Sequence, residues 1–126
     1  MTIKLKNESH SIGKRGETTW WEWTIFLEAD MENELDDVSE VFYYLHPTFN
    51  PPVVKVTERN GVYVFEKKIL REALGRGFPL SRRGWGTFLI SARVEFKSEK
   101  KLPLILKHEL EFQEDNIGYE ESSSTL

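Results

Sequence analysis

Apolar and polar residues alternate with a period of two along most of this chain, the signature of half-buried β-strands. The clearest case is "TFLISARVEF", where Phe88, Ile90, Ala92, Val94 and Phe96 share one face and Ser91, Arg93 and Glu95 take the other. "KLPLILKHELEF" repeats the pattern, with Leu102, Leu104, Leu106, His108, Leu110 and Phe112 inward, and "KSEKK" before it reads as a polar hairpin loop. Upstream, "TWWEWTIFLEA" places Trp21, Trp23, Ile25 and Leu27 on one parity, and "VSEVFYYLH", "PVVKVTE" and "VYVFE" follow as further strands. "RNG" at 59–61 has the composition of a hairpin turn. Only "EKKILREALG" has helical spacing: Ile69, Leu70, Ala73 and Leu74 form one face, with Gly75 placed to cap the end.

Six or seven short strands separated by turn signals predict an all-β fold, an antiparallel β-sandwich of the immunoglobulin-like type. One short surface helix over Glu66–Leu74 interrupts it. The shared parities predict a single core containing Trp23, Phe88, Ile90, Val94, Leu104, Leu106 and Leu110. Residues 1–113 then form one domain. Residues 114–126, within the polar, acidic and Ser-rich "EDNIGYEESSSTL", are expected to be a flexible tail or linker.

Length and composition agree with one core: 126 residues, 39% hydrophobic and 13% aromatic. The absence of cysteine excludes a disulfide framework, thiolate metal sites and a cysteine nucleophile, and fits a reducing, cytoplasmic setting. The opening "MTIKLKNESH" has no apolar signal region, and no apolar run approaches the roughly 18 residues a membrane span needs. A net charge of −4 argues against nucleic acid as the main ligand, because phosphate contacts need a basic surface. The charge is nevertheless uneven. Glu28–Glu40 carries seven acids and no base, as a solvated loop would, whereas Glu66–Arg83 carries six Lys or Arg against two Glu.

Catalytic chemistry is not written in the chain. His10, His46 and His108 lie far apart without metal-ligand spacing, and His108 falls on the apolar parity of its strand, as a core histidine would. No serine occupies a nucleophile elbow, and neither "GRG" nor "GWG" has the spacing of a phosphate-cradling loop. Glu109 and Glu111 share the outward parity, where solvation explains them. No metal, cofactor or enzymatic activity is expected.

Two loops are unusual. "YLHPTFNPP" ends a strand on His46, Thr48 and Phe49 where a plain turn would use Asn, Gly or Asp. "SRRGWGTF" sets Trp85 between Gly84 and Gly86, which fits a bulge or tight turn as well as an accessible main chain beside an exposed ring. With the Trp strand "WEWTIFL", "VSEVFYYLHPTF", "GWGTF" leading into "LISARVEF", and "LPLILKHELEF", the order over Thr19–Phe112 resembles a YEATS domain in its prokaryotic form.

That resemblance implies an immunoglobulin-like sandwich whose end loops read acylated lysine. Carried onto this chain, it assigns the acyl-lysine site to His46, Thr48, Phe49, Gly84, Trp85 and Gly86. Phe49 and Trp85 would sandwich the acyl amide as an aromatic cage, Thr48 and the main chain at Trp85 would hold its polar atoms, and His46 would brace the loop. Thr19, Trp21 and Glu109 fall where the bound peptide would be touched. The partner implied is an acylated-lysine peptide or protein, met by a monomer or by part of a larger protein. The 35 residues between Phe49 and Trp85 exceed the eukaryotic spacing, so the inserted segment can wall or cover the groove; its basic stretch, Lys67–Arg83, is expected beside the mouth. Two other functions fit the same pattern: an immunoglobulin-like scaffold binding through an edge strand or the patch at Trp20–Trp23, and a sensor of a small acylated metabolite. A methyl-lysine cage would want more aromatics and an acid near the rings.

Overall fold

The computed structural model describes residues 3–64 and 75–112. Within them the chain runs through β1 (Lys4–Arg15), β2 (Thr18–Ala29), a 3-10 turn (Glu32–Leu35), β3 (Val38–Tyr44), β4 (Val53–Val56), β5 (Gly75–Gly84), β6 (Leu89–Phe96) and β7 (Leu104–Glu109). A three-stranded sheet in the order β1-β2-β5 faces a four-stranded sheet in the order β4-β3-β6-β7, with every pairing antiparallel. The chain is therefore the all-β sandwich that the alternation predicts. No helix among the described residues is long and apolar enough to cross a membrane.

The inward parities meet between the sheets. Trp23, Ile25 and Leu27 of β2, Val41 and Tyr43 of β3, and Ile90, Ala92 and Val94 of β6 are fully buried. Four of the seven expected core residues, Trp23, Ile90, Val94 and Leu110, are buried; Phe88, Leu104 and Leu106 pack against the core but stay partly accessible. Leu102, expected inward, is 84% exposed. Pro103 follows it and β7 begins only at Leu104, so the alternation of "KLPLIL" starts before the strand does.

His108 is half-buried on the inner side of β7. The Glu111 N–H also reaches Asn7 Oδ1, so that oxygen is an acceptor and His108 donates to it from Nε2 at 2.7 Å. Asn7 in turn donates to the Glu111 carbonyl, which ties β1 to the end of β7. Burial lowers the His108 pKa from the ordinary histidine range; Glu111 and Glu109 oppose this and Lys6 adds to it, each by less.

Two strands escape the alternation rule. Leu5 of β1 is buried, as is Ile3 just before the strand, but the next inward residues are Asn7 and Ser9, so the apolar pattern fades after two steps. A register shift follows between Ser11 and Gly13, and the hairpin closes through Gly16 at φ 65, the first of two loop residues. In β5, "GRGFPLSRRG" is poor in strand formers. It pairs with β2 along one edge only, where Pro79 is tolerated. Gly75 and Gly77 are required by close approach: a Cβ would stand 2.4 Å from the Glu32 Cα and 2.9 Å from the Arg59 Cδ. Phe78, at φ 57, sits in the register shift opposite Phe26; its N–H reaches the Arg59 carbonyl and its own carbonyl accepts the Tyr43 hydroxyl at 2.6 Å.

The segment after β4 also differs from expectation. "RNG" does not turn one paired strand into the next, because β4 pairs with β3 and β5 pairs with β2. Gly61 and Val62 are not in a strand; instead Tyr63 packs edge-on against Phe26 at 5.3 Å and the Val64 N–H bonds the Thr24 hydroxyl. This crossing covers the outer face of β2, which explains why Thr24 and Phe26 are buried although they oppose the inward parity. Gly75, expected to cap a helix, opens β5. The expected helix itself, Glu66–Leu74, and the expected tail, 114–126, lie outside the described residues.

The acidic run is only partly a solvated loop. Glu28 meets Arg76, which also reaches Glu8 at 2.6 Å and stacks on Phe26; Asp36 pairs with Arg59, and Asp37 with Lys101.

Candidate functional site

Trp23 is the anvil of one end of the sandwich. Phe49 and Phe88 each meet it edge-on with ring centroids 6.0 Å away, and they touch each other at 5.5 Å. These rings seat the β3–β4 and β5–β6 loops on the core. The first loop is drawn closed by Leu45 N–H to the Pro52 carbonyl and Phe49 N–H to the His46 carbonyl, at 2.7 and 3.0 Å, and contains a cis Asn50–Pro51 peptide. The second is held where the Leu110 N–H reaches the Phe88 carbonyl.

Between the loops lies a groove of about 550 Å³ lined by Trp20, His46, Thr48, Phe49, Asn50, Arg83, Gly84, Trp85, Gly86, Thr87 and Phe88. The structure thus brings His46, Thr48, Phe49, Gly84, Trp85 and Gly86 to one concavity. Trp85 is 63% exposed. Among the described residues Phe49 makes its ring contacts with Trp23 and Phe88, not with Trp85. The two aromatic walls therefore leave space between them.

His46 fixes the chemistry of Thr48. The Thr48 N–H points to Nδ1 of His46 at 3.2 Å, and a main-chain N–H can only donate, so Nδ1 is an acceptor. The Thr48 hydroxyl, 3.0 Å from the same nitrogen, must then give its proton to it. Its oxygen keeps lone pairs for a donor in the groove. His46 also packs edge-on against Phe88 at 5.8 Å, which sets the ring plane.

The glycines around Trp85 are not turn glycines. Neither has a positive φ, a Cβ at Gly86 would meet nothing within 4 Å, and one at Gly84 would make only ordinary contact with Phe49 at 3.8 Å. Their effect is to leave the main chain bare along the groove wall.

Other expected residues stand apart. Thr19 and Trp21 are outside the lining; Trp21 has the opposite parity to Trp20 and stacks on Phe112 at 4.9 Å. Glu109 is exposed on β7 opposite Leu89, one residue beyond Phe88. Lining residues not assigned to the site from sequence are Trp20, Asn50, Thr87 and Phe88. Period two could have separated Trp20 from Trp21; Phe88, read as core, serves core and groove together. Of the basic stretch expected beside the mouth, Arg83 lines the groove, Arg76 is tied down far along β5, and residues 67–74 lie outside the described residues.

The model of the prokaryotic YEATS domain matches residues 21–110. The chain belongs to the prokaryotic YEATS family. Among solved structures it is similar to yeast Yaf9, an AF-9 homolog, at 25% identity and a TM-score of 0.61, covering 88% of this chain and 70% of that one. The Yaf9 YEATS domain bound to H3K27ac gives 24% identity and a TM-score of 0.60, with 90% and 73% covered. Yaf9 recognizing an H3K122suc peptide gives 21% and 0.54, with 90% and 77% covered. A comparison with curated proteins finds no match.

Proposed function

We propose that this YEATS domain is a non-catalytic recognition module for an acylated lysine in a peptide or protein, seated between Phe49 and Trp85. The observation that carries this reading is the convergence of a hydroxyl acceptor, an uncovered main chain and two separated aromatic walls on one groove. An acyl amide is flat and neutral, and it brings one N–H and one carbonyl. The N–H donates to Thr48 Oγ1, and the carbonyl accepts from the main-chain N–H at Trp85. An unmodified ammonium would have to shed its water there and leave the donor facing it unpaired.

Family membership supports the reading, as do the acylated ligands named for Yaf9, H3K27ac and the H3K122suc peptide. The exposed wall at Trp85 fits a side chain arriving from a polypeptide better than a metabolite enclosed in a cavity. In this proposal residues 1–113 are the reader and 114–126 a tail or linker.

Fluorescence anisotropy with labelled acetyl-lysine peptides tests it. Phe49→Ala and Trp85→Ala should each remove most binding, and Trp85→Ala should leave the unfolding midpoint unchanged, since that ring is off the core. Undiminished binding by both variants would refute the site.

A further inference from the structure

Arg83 is the one Asp, Glu, Lys or Arg on the groove lining among the described residues, and its side chain is 66% exposed. Its placement follows from the register of the three-stranded sheet. Glu22 of β2 lies directly between His10 of β1 and Arg83 of β5. Glu22 Oε2 accepts from Nε of Arg83 at 3.3 Å, while its other oxygen is 3.6 Å from Nε2 of His10. The carboxylate thus engages the inner edge of the guanidinium. The terminal Nη groups have no partner among the described residues, and they form the fork that matches a carboxylate in two parallel hydrogen bonds. A second cation stands on the same rim: Arg15 stacks over Trp20, another lining residue, at 4.6 Å. Two arginines thus stand at or near the groove, one of them paired with Glu22, although the whole chain carries a net charge of −4.

We propose that Arg83 is a specificity residue that makes the groove prefer acyl-lysine ligands bearing a carboxylate near the acylated side chain. The carboxylate comes from an acidic residue beside the lysine or from the acyl group itself when that is a dicarboxylic acid. This inference rests on the acyl-lysine reading above. Because Arg83 is exposed, its contribution is selective rather than dominant: roughly two- to fivefold in affinity, weakening as salt rises.

The test is a peptide matrix measured on the full chain at low and at moderate salt. Its members are acetyl-lysine with neutral flanks, with acidic flanks and with basic flanks, succinyl-lysine with neutral flanks, and unmodified lysine with acidic flanks. Wild type should rank acidic above neutral above basic flanks. Arg83→Gln should collapse that ranking, and Arg83→Glu should invert it. If acidic flanks gain and the succinyl peptide does not, the carboxylate belongs to the neighbouring residue; the reverse assigns it to the acyl group. Equal affinity for acidic, neutral and basic flanks and for succinyl, with acetyl-lysine still above unmodified lysine, overturns the role of Arg83 and leaves the reader intact. Equal binding of acetylated and unmodified peptides instead overturns the reading on which the inference rests. A ranking that survives Arg83→Gln overturns the role of Arg83 while leaving the reader intact.

Discussion

At the scale of single residues, the two glycines flanking Trp85 and the hydroxyl of Thr48 carry the most informative tests. Neither glycine adopts a conformation that requires glycine, and nothing crowds a Cβ at Gly86. Gly86→Ala should leave the unfolding free energy within about 0.5 kcal/mol of wild type, as surface changes usually do, while altering acyl-peptide affinity. A fold defect in thermal denaturation would mean that the glycine serves the turn instead. Thr48→Val keeps the volume and deletes the acceptor, so it should weaken acyl-peptide binding by about 1–2 kcal/mol with little change in stability. His108 makes a pH prediction. Its folded pKa lies below the ordinary value of 6.5, so between the two values the unfolded chain holds more proton than the folded one. The stabilisation associated with neutral His108 is whole above pH 6.5 and declines as pH falls through that window. Urea unfolding at pH 7.5 and about 5.5 should show a smaller acid loss for His108→Gln, which keeps a donor for Asn7; identical losses would remove His108 as a cause.

Individual elements differ in how openly the sequence declares them. β2, β3, β6 and β7 were legible because their inward positions are apolar over several steps and bounded by polar loops. β1 was not, because Asn7 and Ser9 replace apolar residues on its inner side and bind the backbone near Glu111 instead. β5 was not, because its glycines answer to neighbouring main chain and side chains, which no single-sequence pattern encodes. The groove loops stood out for the opposite reason: His46, Thr48, Phe49 and Trp85 are poor choices for plain turns. The sequence places the basic run Lys67–Arg83 near the mouth, and pairing with β2 is what sets Arg83 beside Gly84 on the lining. Long-range ionic ties were likewise invisible. Arg76 binds Glu8 and Glu28 with its side chain only 9% exposed, linking all three strands of the smaller sheet. Arg76→Ala should therefore cost about 3–5 kcal/mol in chemical denaturation, the usual consequence of stranding buried partners. A loss below 1 kcal/mol would place this cluster with ordinary surface pairs.

For the whole molecule, the sandwich is a frame that brings two distant loops together. One joins neighbouring strands within the larger sheet; the other crosses from one sheet to the other, and Trp23 supports both from the core. Groove and core thus share a wall in Phe49 and Phe88. Affinity should still be modest, since a single side chain buries little area and the peptide around it must be ordered. Planar unsaturated acyl groups should bind better than saturated ones of equal size, because only a flat π system faces both rings at once. Calorimetry of crotonylated, acetylated and unmodified lysine peptides against wild type and Trp85→Ala tests the reader function most directly. Binding heats from both acylated peptides, none from the unmodified one and a loss of binding in Trp85→Ala are predicted; equal heats for modified and unmodified lysine would contradict the reading function.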